Sequence, residues 1–369
     1  MSDKEKKYYK PDWHPENAGD EYAVRVVKAN SSSNYEPQKY KSKEPTVEEL
    51  VEGVLSNNRT KIAKTITLIE SNSEKHHHKA SEILTKLIDN SGNSIRIGIT
   101  GVPGAGKSTL IEALGLYLIE KGHKVAVLAV DPSSTITKGS ILGDKTRMEK
   151  LSKEENAFIR PSPSSGTLGG VTRKTRETIT VCEAAGFDVI LIETVGVGQS
   201  EVTVRSMVDF FMLINIAGAG DELQGIKKGV IELSDALIIN KADGDNETRA
   251  NIAKADFTNA LHYLKPATKG WQTKAFTCSA ISGKGINELW KVISKFVQLT
   301  KTNGVFEERR KDQLIEWTFS MIENELKRKF YDDNEVKNMI PEFKSEILKG
   351  NLLPTKAAEE LLKLYFREK

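Results

Sequence analysis

The sequence predicts an α/β fold, a mainly parallel sheet covered by helices on both faces, with helical segments before and after it. Three observations carry this expectation. Short and almost continuous apolar runs recur at 95–100, 125–130, 188–193, 210–216, 236–240 and 275–278. Helical stretches separate them, as at 108–121, which Gly122 ends, and at 286–297. The first run leads directly into a glycine-rich loop that opens a helix. Strands that are apolar on both faces belong inside a parallel sheet, because crossover helices bury both of its sides.

Along the chain, residues 1–44 are polar and carry Ser31, Ser32, Ser33 and Pro37 without periodicity, which predicts a poorly ordered tail. The pattern changes in 45–92. Val47, Leu50, Val51, Val54 and Leu55 stand at helical spacing, as do Ile62, Ile66 and Ile69, and then Ala80, Ile83, Leu84 and Leu87. Asn90, Ser91, Gly92 and Asn93 close this N-terminal helical extension. The alternating core occupies 93–301. From 302 to 369 the chain is helical and charged, with apolar positions at Leu314, Ile315, Phe319, Ile322 and Leu326 and a final helix pair near 335–348 and 355–366. Such amphipathic helices either pack on the core or meet a second subunit.

Composition narrows the function classes. Of 369 residues, 38% are hydrophobic and 28% charged, enough to bury a sizeable core. Lys plus Arg is 54 against 51 for Asp plus Glu, a formal charge of +3. That balance argues against a nucleic-acid or membrane partner. Cys182 and Cys278 lie far apart and in no metal-ligand spacing, so a reducing, cytoplasmic setting is expected. No run approaches a membrane span, and Asp3 and Glu5 disfavour a mitochondrial transit peptide.

The strongest chemical signal is Gly101, Val102, Pro103, Gly104, Ala105, Gly106, Lys107 and Ser108, followed by Thr109. It fits G-x-x-x-x-G-K-[ST], in which glycines let backbone N–H groups turn inward onto phosphate oxygens at a helix N-terminus. Lys107 is expected at the β- and γ-phosphates and the Ser108 hydroxyl on Mg²⁺. A chance glycine turn would lack the strand before it and the helix after it.

A second signal selects the base. Asn240, Lys241, Ala242 and Asp243 end an apolar run. Guanine presents N1–H and an exocyclic amine side by side, and the Asp243 carboxylate can accept both. Adenine offers no such pair and would leave the acid unmatched, which disfavours an ATP-dependent kinase. The Lys241 stem can lie along the base. Cys278, Ser279 and Ala280 end the next run, before Ile281, where GTPases bring a backbone N–H to the guanine O6. On its own N-K-x-D is a weak pattern; after a phosphate loop it gains weight.

Acids complete the set. Glu193 ends the 188–193 run and precedes Thr194, Val195 and Gly196, where most GTPases have Asp-x-x-Gly. An acid at a strand tip opposite a phosphate loop holds Mg²⁺ directly or through water. Asp131, at the tip of 125–130, is a second acid at the carboxyl edge, where open parallel sheets bind ligands. Asp144 alone reads as a solvated loop carboxylate.

Longer motifs carry a resemblance. They are 193–201 (Glu-Thr-Val-Gly-Val-Gly-Gln-Ser-Glu), 131–134 (Asp-Pro-Ser-Ser), 139–148, 163–170 and 218–229. Together they closely resemble the methylmalonyl-CoA mutase-associated GTPases, the MeaB/ArgK family, of the class in which Glu replaces the usual Asp. The similarity runs from about Val47 to the C-terminus. It implies a P-loop GTPase core with a C-terminal helical dimerisation arm. It implies GTP and GDP as ligands with Mg²⁺ bound by Ser108, Asp131, Asp144 and Glu193. The job implied is GTP-gated loading and protection of adenosylcobalamin on an acyl-CoA mutase carried by another chain. By the same resemblance Arg147 lies in the adjacent switch segment, and Lys227 is the active cation of an extra loop at 218–229. One departure stands out: Val197 occupies the place of a Ras-like water-orienting Gln, and Gln199 comes two residues later. Slow intrinsic hydrolysis, raised by a partner that orders such loops, is therefore expected.

Two other readings compete. A metal-insertion GTPase of the same class would need imidazole or thiolate ligands for nickel. Its candidates here are His76, His77 and His78, which as adjacent helical residues cannot converge on one ion and read as a solvated face. A nucleotide-binding regulatory scaffold is the other, and the acids near Lys107 favour catalysis over it.

Overall fold

The computed structural model describes residues 44–71, 73–130, 148–161, 168–194, 200–218 and 228–367. Residues 1–43 of the predicted tail, together with Asp131, Asp144, Arg147, Val197, Gln199 and Lys227, lie outside them.

Seven strands form one sheet: β1 (Ile95–Gly101), β2 (Val125–Val130), β3 (Ala157–Arg160), β4 (Val189–Thr194), β5 (Phe210–Ile216), β6 (Ala236–Asn240) and β7 (Lys274–Thr277). Their order is β3-β2-β4-β1-β5-β6-β7 and every pairing is parallel. The predicted parallel α/β core is therefore present, with one strand the apolar runs did not announce. β3 reads Ala-Phe-Ile-Arg, four residues in a charged neighbourhood. As an edge strand it pairs on one side only, so a short run suffices.

Helices follow the strands as crossovers demand. α4 (Lys107–Glu120) and α10 (Ile286–Thr302) cover one face, burying Leu110, Ile111, Leu114, Ile293 and Phe296 against Ile97, Val127, Leu191 and Met212. The other face receives α6 (Leu168–Ala184) and three N-terminal helices, α1 (Val47–Leu55), α2 (Arg59–Glu70) and α3 (Glu74–Leu87). The first two start on local signals. Thr46 and Glu49 form a capping box on α1, and Asn58 caps α2 through the amides of Thr60 and Lys61. Leu50, Val54, Ile62, Ile66, Ile83 and Leu87 meet Leu128, Ile190, Ile192 and Phe211. These helices thus complete the core of the sheet. α2 also shields the β3 edge, pairing Glu70 with Arg160 and laying Arg59 on the carbonyl of Ala157.

Short helices α5 (Glu149–Lys153), α7 (Ser200–Arg205) and α8 (Lys228–Glu232) punctuate the crossovers, and α9 (Glu247–Leu261) packs Phe257 against Leu237 and Ile239. Three C-terminal helices follow: α11 (Val305–Asp332), α12 (Asn334–Leu348) and α13 (Pro354–Arg367). The last two match the predicted pair to within a residue at each end. α11 changes character along its length. Phe306 and Gln313 are buried against the core, whereas Leu314, Ile315, Phe319, Ile322 and Leu326 are exposed. Among the described residues no helix is long and apolar enough to cross a membrane.

Candidate functional site

The carboxyl edge of the sheet gathers the predicted residues. β1 runs into 101–106, β4 ends at Glu193 and Thr194, β6 ends at Asn240, and 278–281 follow β7. In the strand order β4 lies on one side of β1, while β5, β6 and β7 follow on the other. Parallel strands make this convergence automatic, because every strand points its carboxyl end the same way.

The phosphate loop depends on two glycines for space. A Cβ on Gly101 would lie 2.1 Å from the carbonyl oxygen of Ile214 on β5. Gly106 has φ +81°, and its Cβ would lie 2.7 Å from Asn240 Nδ2. Lys107 then opens α4, and its Nζ donates to the carbonyls of Gly101 at 3.0 Å and Val102 at 3.4 Å. The ammonium is thereby folded over the loop that phosphates would enter. The Ser108 hydroxyl donates to Glu193, 3.1 Å to Oε1 and 3.4 Å to Oε2. Below them the Thr194 hydroxyl donates to that of Thr100 at 2.8 Å, tying β4 to β1 inside the core.

The base side is built around Asn240, 1% exposed. Its Nδ2 donates to the Ala105 carbonyl at 2.8 Å, and its Oδ1 accepts from the Ala280 amide at 3.2 Å. Asn240 therefore staples the phosphate loop to the loop after β7. The buried Cys278 thiol also reaches Asn240 Oδ1, at 3.5 Å. Burial pushes its pKa up to about 12, so it stays a protonated donor. Lys241 adopts φ +59°, a left-handed conformation that a non-glycine residue holds only when its surroundings impose it. The amide of Ala242 donates to the Cys278 carbonyl at 2.9 Å, which supplies that imposition. The Ser279 hydroxyl donates to the Asp243 carboxylate, while Lys241 and Ile281 face solvent.

The structure thus brings together Gly101 through Ser108, Glu193, Asn240 and 278–281, with Asp243 held by Ser279. Asp131, Asp144, Arg147 and Lys227 fall outside the described residues. Sequence reasoning missed the bracing role of Asn240 and the Thr100–Thr194 pair. The fixed place of Asn240 at a strand end was a usable signal; the threonine pair left none. The histidines behave separately: His76 Nδ1 meets Ser71 Oγ at 2.7 Å, and His77 and His78 are exposed.

A parallel sheet whose first strand enters a phosphate loop, with a Glu-tipped strand on one side and an N-K-x-D loop on the other, defines a P-loop GTPase. The family model described as Methylmalonyl Co-A mutase-associated GTPase MeaB matches residues 62–335. GTPase ArgK of Escherichia coli K12 is 48% identical over 283 residues, 77% of this chain and 86% of that protein. The mouse protein called methylmalonic aciduria type A homolog, mitochondrial, is 43% identical over 329 residues, 86% of this chain and 79% of that one. A crystal structure titled LAO/AO transport system kinase superposes with a TM-score of 0.71 at 37% identity, covering 87% of this chain and 98% of its own. The chain belongs to the MeaB family of P-loop GTPases.

Proposed function

We propose that the chain is a GTP-hydrolysing G-protein chaperone that gates adenosylcobalamin loading onto a methylmalonyl-CoA mutase-type enzyme on a separate polypeptide, and protects that enzyme. The observation that carries the nucleotide part is Asn240, whose two contacts, to Ala105 and Ala280, make one rigid unit of the phosphate and base loops. In this reading the amides of 101–109 and the Lys107 ammonium bind the phosphates, and Asp243 reads guanine. Lys241 and Ile281 flank the base, and a backbone N–H of the 278–281 loop faces its O6. The Ser108–Glu193 pair offers hard oxygen ligands that suit Mg²⁺, with Asp131 and Asp144 completing the set. Bound there, Mg²⁺ would neutralise charge developing on the β- and γ-phosphates. Arg147 and Lys227 supply cations from the segments that respond to nucleotide.

The partner assignment is supported by the family and by the mouse relative, named for methylmalonic aciduria. We assign 45–92 to a helical extension, 93–301 to the G domain and 302–369 to a dimerisation arm, in a cytoplasmic homodimer. The exposed row Leu314, Ile315, Phe319, Ile322 and Leu326 supports the dimer, since a contiguous apolar stripe on one helix is the usual mark of a protein contact.

Two measurements test this. GTP, and not ATP, displaces a fluorescent guanine nucleotide from the purified chain. Hydrolysis rises when an adenosylcobalamin-dependent mutase is added and co-purifies with the chain in a nucleotide-dependent manner. Equal displacement by ATP sinks the guanine reading; equal rates with and without the mutase sink the chaperone reading.

A further inference from the structure

Two arginines from different parts of the fold converge on one buried carboxylate at the amino edge of the sheet. Asp235, fully buried just before β6, accepts from Arg205 Nη1 at 3.0 Å. Arg309 Nη1 stands 3.9 Å from the same Oδ2 atom. The Phe211 amide donates to that oxygen at 3.0 Å, and the Thr268 hydroxyl donates to Oδ1. The Thr268 oxygen also accepts from both Arg205 and Arg309. Arg205 is the last residue of α7, which begins six residues after Thr194 at the end of the Glu193-bearing strand. Arg309 lies in the first turns of α11.

The neighbouring arginine provides a contrast. Arg310 forks onto Asp209, 2.8 Å to Oδ1 and 2.7 Å to Oδ2, and onto the Ser94 carbonyl at 2.7 Å. Asp209 gives its carboxylate to Arg310 and its backbone carbonyl to Arg309 Nη1, and none of Arg310's partners belongs to α7. Arg310 is an anchor. Arg309 instead shares a counter-ion with Arg205, and burial together with the nearby Arg205 charge pushes its pKa down. Two buried guanidiniums beside one carboxylate compete for it, so whichever moves closer weakens the hold on the other.

The surroundings permit such an exchange. A cleft of about 400 Å³ lies between α7, residues 267–269 and α11, lined by Arg205, Arg309 and Gln313 among others. In the same layer Arg176 donates to the carbonyls of Gln313 and Ser206, linking α11 to the end of α7. Arg176 Nε, Gln313 Oε1 and Trp317 Nε1 are buried there with no hydrogen-bond partner among the described residues. Unmatched buried polar atoms gathered at one junction are a mark of a network with more than one arrangement.

We propose that Asp235 is a shared counter-ion through which Arg309 of the C-terminal helix sets the position of α7, so that Arg205 and Arg309 are positioning residues for GTP hydrolysis. The proposal rests on the GTPase reading of the carboxyl edge. Loading or displacement of α11 by a partner would then be felt at the nucleotide site through Asp235, without contact at that site.

The test compares adjacent residues in the full chain. Arg309→Met and Arg310→Met are assayed for kcat and KM of GTP hydrolysis, and for the thermal midpoint with GDP and with a non-hydrolysable GTP analogue. Arg309→Met is expected to change kcat by about twofold to thirtyfold with KM little moved, and to alter the difference between the two midpoints. Arg310→Met is expected to lower both midpoints together and leave kcat near wild type. Thr268→Val, which removes the shared hydroxyl and keeps both charges, is expected to follow Arg309→Met more weakly and serves if Arg309→Met does not fold. The Arg205→Met, Arg309→Met double variant is expected to be non-additive in kcat. Equal behaviour of Arg309→Met and Arg310→Met, or additivity of the double variant, overturns the proposal while leaving the GTPase reading intact. A wild-type chain with neither hydrolysis nor any nucleotide-dependent midpoint overturns both.

Discussion

At the amino edge of the sheet, Asp188, Asp209 and Asp235 each accept an amide at the start of a neighbouring strand, within one residue of its first: Lys124 at 2.7 Å, Arg96 at 2.8 Å and Phe211 at 3.0 Å. Guanidinium groups close two of these sites, Arg310 on Asp209 and Arg205 on Asp235. At the carboxyl edge the acids meet hydroxyls instead, Ser108 on Glu193 and Ser279 on Asp243. The same side-chain type therefore does two jobs. A fork that fits a carboxylate holds strands in register and leaves little capacity for a ligand. A hydroxyl can rotate, and its acid can turn to a metal or a base. The edges also differ in backbone. The carboxyl edge carries Gly106 and Lys241 in left-handed conformations. Strain of that kind persists at sites whose shape serves a ligand.

Substitutions should separate the two edges. Lys107→Ala is expected to lower GTP hydrolysis by about a thousandfold while leaving the thermal midpoint of the nucleotide-free chain nearly unchanged, read by single-turnover assay and calorimetry. Asp209→Ala should do the reverse. It leaves the Arg310 charge buried and unmatched, costing about 3–5 kcal/mol in denaturant titration, with guanine selectivity retained. Asp243→Asn should weaken GTP by roughly a hundredfold and improve xanthosine triphosphate, since the amide cannot accept both guanine donors. A stability loss as large as that of Asp209→Ala would instead place Asp243 with the structural acids.

Smaller effects sharpen the contrast. Burial alone would raise the pKa of Glu183, yet Arg96 beside it, with Ser94 and the Gly92 amide, holds it below the usual carboxylate value of 4.5. A depressed folded-state pKa contributes stability above the unfolded value and loses it as pH falls through the folded one. Glu183→Gln should therefore lower stability at neutral pH and flatten the acid limb of the stability curve below pH 4.5, read by denaturant titration across pH. Phe319→Ser on the exposed row of α11 should shift stability by less than about 0.5 kcal/mol. Under the proposed dimer, sedimentation should show this variant shifted toward monomer.

The legibility of the molecule followed the range of the forces involved. The phosphate loop, the guanine loop and Glu193 were readable because each is a short segment whose chemistry fixes residue type at fixed spacing. Most strands and the last two helices were readable because burial imposes a period on apolar residues. β3 was not, because an edge strand buries too little to show a run. The Thr100–Thr194 pair, the Asn240 brace and the convergence of Arg205, Arg309 and Asp235 were also invisible. Their members stand 94, 135 and up to 104 residues apart, and nothing local marks them.

By itself the sequence determined the fold class, the nucleotide chemistry and the family, since periodicity and local motif spacing are written residue by residue. Tertiary structure alone decided which acids are spent on holding the sheet and which meet hydroxyls at its carboxyl edge. That choice depends on whether a guanidinium or a hydroxyl arrives from a distant element, and only the folded chain brings those partners within 3–4 Å of one another.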